Sequence, residues 1–399
     1  MSGDGSRTRV VRLVEDYPIG GRATYGLQPV YTNLSEAQAL HGYNVHVIAR
    51  RHPGQPGEEE AAGVNIHRVS TPYTISAMKV IRELADGHSR TVLHTHSTSG
   101  VFLSVTKNLV RAPVVSHVHG TTYSAVTPSV LILGKQVLGY SPWRVTTSFL
   151  RERALWSRAN RIAAVSSSVR SDLTLRYGVK DERIRVVYNG VNTSVFKPVD
   201  NPEFPERSKV EGKKVVLYVG HFGLRKGLPF LLSAMNLITA QVQDAVLMCV
   251  GGVPPWLPKD EYWEYLNLLI EQHNLKGKVV LVDRVPNTKL PDYYSACDVF
   301  VLPSFYEAFP KVLIEAMACG KPVVTTKLGG TRDSTEDGVN GFLVPYADPE
   351  GLAAAIVRLL QDEGLARKMG QMGRARATRD FTWGAVVKRI DSIYEEVLG

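Results

Sequence analysis

With 399 residues, of which 44% are hydrophobic and 21% charged, the chain has the length of two domains and the composition of an ordinary globular protein. No apolar run approaches the roughly 20 residues of a membrane-spanning helix, and residues 1–9 lack the apolar core of a signal peptide. We therefore predict a cytoplasmic protein whose three isolated cysteines are reduced.

The basic residues are concentrated in the first half of the chain. Residues 1–200 hold 24 Lys and Arg against 14 Asp and Glu, a balance of +10, whereas residues 201–399 hold 23 against 24. Residues 107–161 carry eight basic side chains and a single acidic one, Glu152. This asymmetry predicts an anionic partner or surface for the first half.

Strand and helix patterns alternate along the first half. A β-rich run at 8–14 is followed by a Gly-rich break that contains Gly20 and Gly21, a helical pattern at 24–40 and a strand at 45–48. Further strand candidates lie at 65–69, 91–94, 114–117, 161–165 and 185–188. We predict a Rossmann-like, doubly wound domain over 1–200, ending in an irregular linker at 189–211.

The second half repeats the alternation. Strand patterns occur at 215–219, 245–250, 279–282, 299–302 and 322–325, with helical patterns between them. We predict a second Rossmann-like domain over 201–382. The tail is helical from Pro349, and its last piece, 383–398, is amphipathic.

Two loops of the second half have residues suited to a phosphorylated ligand. The loop 220–227 follows a strand, is rich in glycine and carries Arg225 and Lys226 just before a helix, an arrangement that suits a diphosphate. It has neither the P-loop nor the dinucleotide-fingerprint spacing, so a generic basic loop stays an alternative. The stretch 303–320 places Glu307 before a helix and Glu315 inside it. Loops at the carboxyl ends of parallel strands bind anionic ligands, although two solvated glutamates would fit this stretch equally well on their own.

Histidines recur at two strand ends of the first half, as His94-Thr95-His96 and His117-Val118-His119. Alternate histidines on a strand share a face and can ligate a metal, but no acidic third ligand is evident. We therefore predict no metal site and favour His119 as a hydrogen-bonding or polarising group.

The stretch 122–150 mixes an apolar run at 130–133 with Lys135, Tyr140, Trp143 and Arg144. This mixture suits an interfacial segment on an anionic membrane, and an ordinary core helix with solvated charges is the alternative. No nucleic-acid recognition module is visible, so we predict no nucleic-acid partner.

Taken together, these residues resemble the family 4 retaining glycosyltransferases of the GT-B fold. The matching pieces of the first half are 18–21, 41–45, 94–97, 119–120, 165–166, 187–192 and 196–198. Those of the second half are 226–227, Asp298, 303–304, Glu307, 315–320, 329–330 and 338–345. The ordered set carries the resemblance, and only 121–155 lacks a match.

The resemblance implies two Rossmann-like domains facing across a cleft, with the last helix, 383–399, returning to the first domain. It implies transfer of a hexosyl unit from a nucleotide sugar, UDP-linked rather than GDP-linked, with no metal and no cofactor. Lys226 and Arg225 would neutralise the donor diphosphate, Glu307 would bind the sugar and Glu315 the ribose. The further contacts that the resemblance implies are Gly20, Gly21, His119, His221, Phe309, Lys311, Val312 and Leu313.

One departure from the family pattern bears on sugar choice, because Pro310 stands where many relatives have Gly and its nitrogen has no hydrogen to donate. We predict an anionic or lipid-linked acceptor, with attachment to the cytoplasmic face of a membrane as an option. A soluble sugar or sugar-phosphate acceptor is the alternative within the enzyme class. An inactive nucleotide-sugar-binding partner protein, or a relative with epimerase or phosphorylase chemistry, is the alternative outside it.

Overall fold

The computed structural model describes residues 7–18, 27–86, 88–106, 109–124, 142–253 and 258–399. The chain forms two compact units, Met1–Gly190 with Trp383–Gly399, and Val191–Thr382. The boundary predicted at residue 200 therefore lies ten residues beyond the structural one. The reason is packing within the second unit: the Val199 N–H donates to Ser295 Oγ at 2.9 Å, and the Phe196 ring packs against Tyr294.

The described part of the first unit contains an eight-stranded sheet in the order β3-β4-β2-β1-β5-β6-β7-β8, parallel except for the β3–β4 pair. The strands are β1 Arg9–Leu13, β2 Asn44–Arg50, β3 Glu58–Ala61, β4 Val64–Val69, β5 Thr91–His96, β6 Val114–Val118, β7 Arg161–Ala164 and β8 Ile184–Val186. The helices of this half are α1 Gln28–Leu40, α2 Tyr73–Ala85, α3 Leu103–Thr106, α4 Pro142–Arg158 and α5 Ser167–Leu175.

Two strands of the described residues, β3 Glu58–Ala61 and Gly341–Val344 in the second unit, were missed by the sequence patterns, and the edge strand β3 is the more unusual of them. Its residues include three consecutive glutamates, a residue type depleted in strands. An edge strand tolerates charge because one side faces water, and here Glu59 pairs across the strands with the buried Arg68 at 2.7 Å.

The second unit contains a parallel sheet in the order β11-β10-β9-β12-β13-β14. Its strands are β9 Lys214–Val219, β10 Ala245–Val250, β11 Val279–Val282, β12 Val299–Leu302, β13 Val323–Thr326 and β14 Gly341–Val344. Its helices are α6 Arg207–Val210, α7 Leu228–Thr239, α8 Lys259–Gln272, α9 Leu290–Ala296, α10 Lys311–Ala318, α11 Thr331–Ser334, α12 Pro349–Gln361 and α13 Glu363–Asp380.

The last helix, α14 Trp383–Leu398, packs in the core of the first unit. Its buried stripe is Val386, Val387, Ile390, Ile393 and Tyr394, the face that the amphipathic pattern predicted. These side chains contact residues of β1, β5, β6 and β7. The predicted return of this helix to the first domain is confirmed.

The strand order of the second sheet fixes where a ligand can bind. From β9 the chain moves outward to β10 and β11 on one side, whereas β12 lies on the other side of β9 and leads to β13 and β14. The loops after β9 and β12 therefore diverge and leave a crevice at the carboxyl edge, the usual ligand position in open α/β sheets. Among the described residues, no helix has the length and apolar character needed to cross a bilayer.

Candidate functional site

The loop after β9 and the loop after β12 touch directly. Residues Leu224–Lys226 form a 3-10 turn that ends at Gly227, whose φ is +75°. A Cβ at Gly227 would lie 1.9 Å from the carbonyl oxygen of Pro303, so only glycine permits this approach. The Phe305 N–H donates to the carbonyl oxygen of Arg225 at 2.9 Å. The two predicted ligand loops therefore form one structure.

Lys226 and Glu307 meet at the centre of this structure. The Lys226 Nζ lies 2.5 Å from Glu307 Oε1, and the two side chains are only 18% and 12% exposed. Burial alone would raise the pKa of Glu307, but the charges of Lys226 and Arg225 outweigh it and lower that pKa. Glu307 is therefore an ionised acceptor of hydrogen bonds at neutral pH.

A glycine pair on the neighbouring loop holds the backbone of Glu307. The Gly330 N–H donates to the Glu307 carbonyl oxygen at 2.7 Å. At Gly329, where φ is +66°, a Cβ would lie 2.2 Å from that same oxygen. The position of Glu307 therefore depends on the absence of a side chain at residue 329.

Glu315 lies inside α10 and is nearly fully buried. The Tyr294 hydroxyl donates to its Oε2 at 3.1 Å. Burial raises the pKa of Glu315, and the charge of the half-buried Lys311 opposes this shift. Tyr294, which no sequence motif indicated, orients the carboxylate.

At the start of α10, two of the contacts that the family resemblance implied, Leu313 and Phe309, have partners within the protein. The Leu313 N–H donates to the Pro310 carbonyl oxygen at 3.2 Å, so this amide already has an acceptor, and the Leu313 side chain is fully buried. The Phe309 ring is buried and packs against Phe381, with 5.6 Å between ring centroids. Val312 is half-buried and stays the better candidate of the two predicted backbone donors.

Arg284 joins the site and was missed by the sequence analysis. It is exposed directly after β11, and its Nη2 lies 3.4 Å from Nδ1 of His221, in the loop after β9. Burial, followed by the charges of Arg284, Lys226 and Arg225, lowers the pKa of His221. The cluster of cations marks a position suited to a polyanion such as a diphosphate.

In the first unit, His119 belongs to a group of stacked imidazoles. Its Nε2 lies 2.8 Å from Nδ1 of His96, and His94 Nδ1 lies 2.5 Å from the Tyr394 hydroxyl of α14. Burial lowers the pKa of His94, His96 and His117 well below the ordinary value, so these rings are neutral. The predicted contacts Gly20 and Gly21 lie outside the described residues.

Helix α4 presents a basic and aromatic face. Trp143 and Leu150 are 74% and 57% exposed. The exposed arginines of this helix are Arg144, Arg151, Arg153 and Arg158. Its only acid, Glu152, is buried and accepts the Thr122 N–H and the Tyr177 hydroxyl. Of the predicted stretch 122–150, residues 125–141 lie outside the described residues.

The two doubly wound units and the switch-point site define a protein of the GT-B class. Two solved structures cover 98% of the chain and have this fold. Sucrose-phosphate synthase from Thermosynechococcus elongatus has 24% identity, a TM-score of 0.78 and 99% of its own chain covered. HepE of Anabaena, solved with UDP and glucose, has 18% identity, a TM-score of 0.76 and 100% covered. The predicted fold is confirmed.

The chain belongs to the family 4 glycosyltransferases. The family model described as Glycosyl transferases group 1 matches residues 200–376, and that of Glycosyltransferase Family 4 matches residues 25–195. Among curated relatives, the N-acetyl-α-D-glucosaminyl L-malate synthase of Bacillus anthracis is 26% identical over 399 residues, which covers 96% of each chain. The predicted family is confirmed, and the chain is a glycosyltransferase.

Proposed function

We propose that the chain transfers a hexosyl unit from a UDP-linked donor to an anionic acceptor, with retention of anomeric configuration and without a metal on the diphosphate. The observation that carries the proposal is the Lys226–Glu307 pair, which lies between β9 and β12 beside Arg225 and Arg284. Cations at this position would neutralise the negative charge of the diphosphate, which a metal ion does in other enzymes. HepE, solved with UDP and glucose, supports the choice of nucleotide.

Donor binding exchanges the partners of the central ion pair. The Lys226 ammonium leaves Glu307 for the diphosphate, where Arg225 assists, and Glu307 then accepts hydrogen bonds from the sugar hydroxyls. Glu315, held by Tyr294, accepts hydrogen bonds from the ribose hydroxyls. Lys226 and Glu307 thus each gain a ligand partner in place of a protein one, whereas Glu315 keeps Tyr294.

The transfer step breaks the bond between the anomeric carbon and the diphosphate oxygen. The acceptor oxygen bonds to the same face of that carbon, and its proton passes to the departing phosphate oxygen. Negative charge grows on the leaving diphosphate, so cations fixed beside it stabilise the transition state more than the ground state.

The acceptor is proposed to be anionic, because the first half of the chain has a balance of +10 and α4 exposes arginines with no exposed acid between them. Two proteins similar to this chain are named for products that carry an acid group, a malate and a sucrose phosphate. Exposed Trp143 and Leu150 favour a lipid-linked acceptor at an anionic membrane surface over a free sugar phosphate.

A thermal-shift screen of nucleotide sugars tests the donor, because a specific ligand raises the melting temperature. We expect UDP-sugars to raise the melting temperature. UDP release from the selected donor should vanish in Lys226→Ala but persist in Lys213→Ala, because Lys213 is exposed and its ammonium donates only to the Lys209 carbonyl oxygen among the bonds described. Binding of a UDP-sugar without any turnover, with or without an acceptor panel, would instead identify an inactive binding protein.

Vesicle binding tests the acceptor class. We expect the protein to sediment with vesicles that contain anionic lipid at low salt, and an Arg144→Gln, Arg151→Gln double variant to lose this binding. The exposed Arg367 on α13 of the second unit gives a matched control, Arg367→Gln. No binding by the unaltered chain would leave a soluble sugar phosphate as the acceptor.

A further inference from the structure

Three buried histidines of the first unit converge on one point. His94 and His96 lie on β5, and His117 lies directly opposite His96 on the adjacent strand β6. All three side chains are at most 3% exposed. One nitrogen of each ring can be chosen so that the three atoms lie within 4.8 Å of one another. The sequence pattern did not indicate this group, because it pairs His117 with His119 of the same stretch of sequence, whereas the neighbour of His117 in the sheet is His96 on another strand.

Some of the ring nitrogens of these histidines have a hydrogen-bond partner and others do not. Nδ1 of His94 is hydrogen-bonded to the Tyr394 hydroxyl, and Nδ1 of His96 is hydrogen-bonded to Nε2 of His119. Nε2 of His94 and Nε2 of His96 find no hydrogen-bond partner among the described residues, and the ring of His117 has only a backbone contact with Val187. Buried nitrogens of this kind need a water or an ion, and metal-ligating histidines are typically held through their second nitrogen in this way.

We propose that His94, His96 and His117 bind one late first-row transition-metal ion, for which zinc is the best fit. Neutral imidazole nitrogen is the ligand that zinc, nickel and copper prefer, whereas magnesium and calcium require oxygen ligands. Zinc–nitrogen bonds of about 2.0–2.1 Å place tetrahedral ligands about 3.3 Å apart, so nitrogens that now lie up to 4.8 Å apart approach each other by up to about 1.5 Å on binding. Three protein ligands leave the fourth position for water or an anion.

A cation near the cluster narrows the choice of ion. The Arg12 guanidinium is fully buried, donates to Ser35 and Gln38, and acts electrostatically on all three rings. The positive charge of Arg12 disfavours a dication beside it, so the ion must be bound by strong metal–nitrogen bonds. The affinity of nitrogen ligands for first-row dications is high at the copper and zinc end of the series. A cavity of about 240 Å³ that His96 and Ser99 help to line gives the ion a way in.

The bound ion also fixes a tautomer. Metal on Nε2 of His96 requires the ring proton on Nδ1, which then donates to Nε2 of His119. The ring proton of His119 must in turn lie on its own Nδ1. The ion therefore orders β5, β6 and the residue ahead of Gly120, and it takes no part in neutralising the diphosphate.

Metal analysis of the untagged full chain tests the proposal. After incubation with zinc sulfate and gel filtration in metal-free buffer, elemental analysis is expected to find one zinc per chain. Replacement by cobalt(II) is expected to give the visible absorption of a tetrahedral nitrogen-rich site. His94→Gln and His117→Gln should lose both signals, whereas His273→Gln, in the second unit, should keep them.

Measurements on the unaltered chain test the proposal even if a variant fails to fold. Absence of retained zinc together with absence of the cobalt spectrum would overturn the proposal and leave buried water as the partner of these nitrogens. Equal metal content in the folded His117→Gln variant, verified by circular dichroism, would overturn it as well.

Discussion

Comparison of Gly329→Ala with a matched glycine variant separates the cost of backbone strain from the cost of displacing the backbone of Glu307. At residue 329, φ is +66° and an added methyl group would lie 2.2 Å from the carbonyl oxygen of Glu307. Gly338→Ala is the matched control, because φ is +76° there and no atom lies within 4 Å of the added methyl group. Both variants bear the left-handed strain of about 1–2 kcal/mol, but only the first must move Glu307.

The strain sets the expected loss of stability. For a unit of this size, about 1 kcal/mol corresponds to roughly 2–4 °C, so Gly338→Ala should melt about 2–8 °C below the unaltered chain. Gly329→Ala has to shift the Glu307 carbonyl by about 1 Å as well. A misplacement of about 1 Å at a reacting group costs roughly a hundredfold in rate.

UDP release from the donor found in the nucleotide-sugar screen measures the difference. We expect turnover by Gly329→Ala to fall about a hundredfold and turnover by Gly338→Ala to stay within about twofold of the unaltered chain. Equal turnover in the two variants would show that the Gly329 contact does not position Glu307, and the reasoning on that loop would fail.

Three further outcomes follow from the charges of the site. The folded pKa of Glu307 is lowered, so the ion pair contributes fully above pH 4.5 and is lost as the pH falls through the folded pKa. Lys226→Met should therefore reduce the free energy of unfolding by about 1–3 kcal/mol at pH 7, and this deficit should shrink below pH 4.5 in urea titrations. A pH-independent deficit would mean that packing, not charge, is responsible. The folded pKa of Glu315 is raised, so its ionised form opposes folding as the pH rises above 4.5. Glu315→Gln should raise the melting temperature of the free protein at pH 7 and weaken UDP binding about tenfold to a hundredfold. Glu264→Gln, at an exposed position in the middle of α8, should change neither quantity. A lower melting temperature in Glu315→Gln would contradict the burial argument. Arg284→Ala should weaken UDP binding up to about fivefold by calorimetry, and more at low salt, whereas a salt-independent effect would speak against a charge contact.

The strands and the central pair could be predicted from the sequence because their signals are local or belong to a motif. Apolar runs of four to six residues indicated most strands of both sheets, and the loop 220–227 with Glu307 indicated the cluster that contains the Lys226–Glu307 pair. The amphipathic pattern of 383–398 gave the last helix with its buried face. In each case the information lies within one stretch of sequence.

The residues that sequence reasoning missed are brought into place by strand order or by local geometry. Arg284 reaches His221 only because β11 and β9 flank β10 in the same sheet. Tyr294 is an ordinary tyrosine on a short helix until α9 is packed against α10. The hydrogen bond from the Leu313 amide depends on the turn that starts at Pro310, and a pattern of residue types does not specify that turn.

The position of α14 has a consequence for biosynthesis. Five buried side chains of the final sixteen-residue helix complete a core whose other strands all precede residue 187. A ribosome that adds roughly 5–20 residues per second needs about 10–40 s to make the rest of the chain after Gly190. During that interval the core of the first unit lacks the helix that covers it, so its apolar side chains are exposed to water. The segment Val191–Thr382, in contrast, emerges with the described strands of its own sheet. The second unit to be synthesised is therefore the first that can finish folding, and loss of the helix Trp383–Leu398 would expose a core built from the first 190 residues.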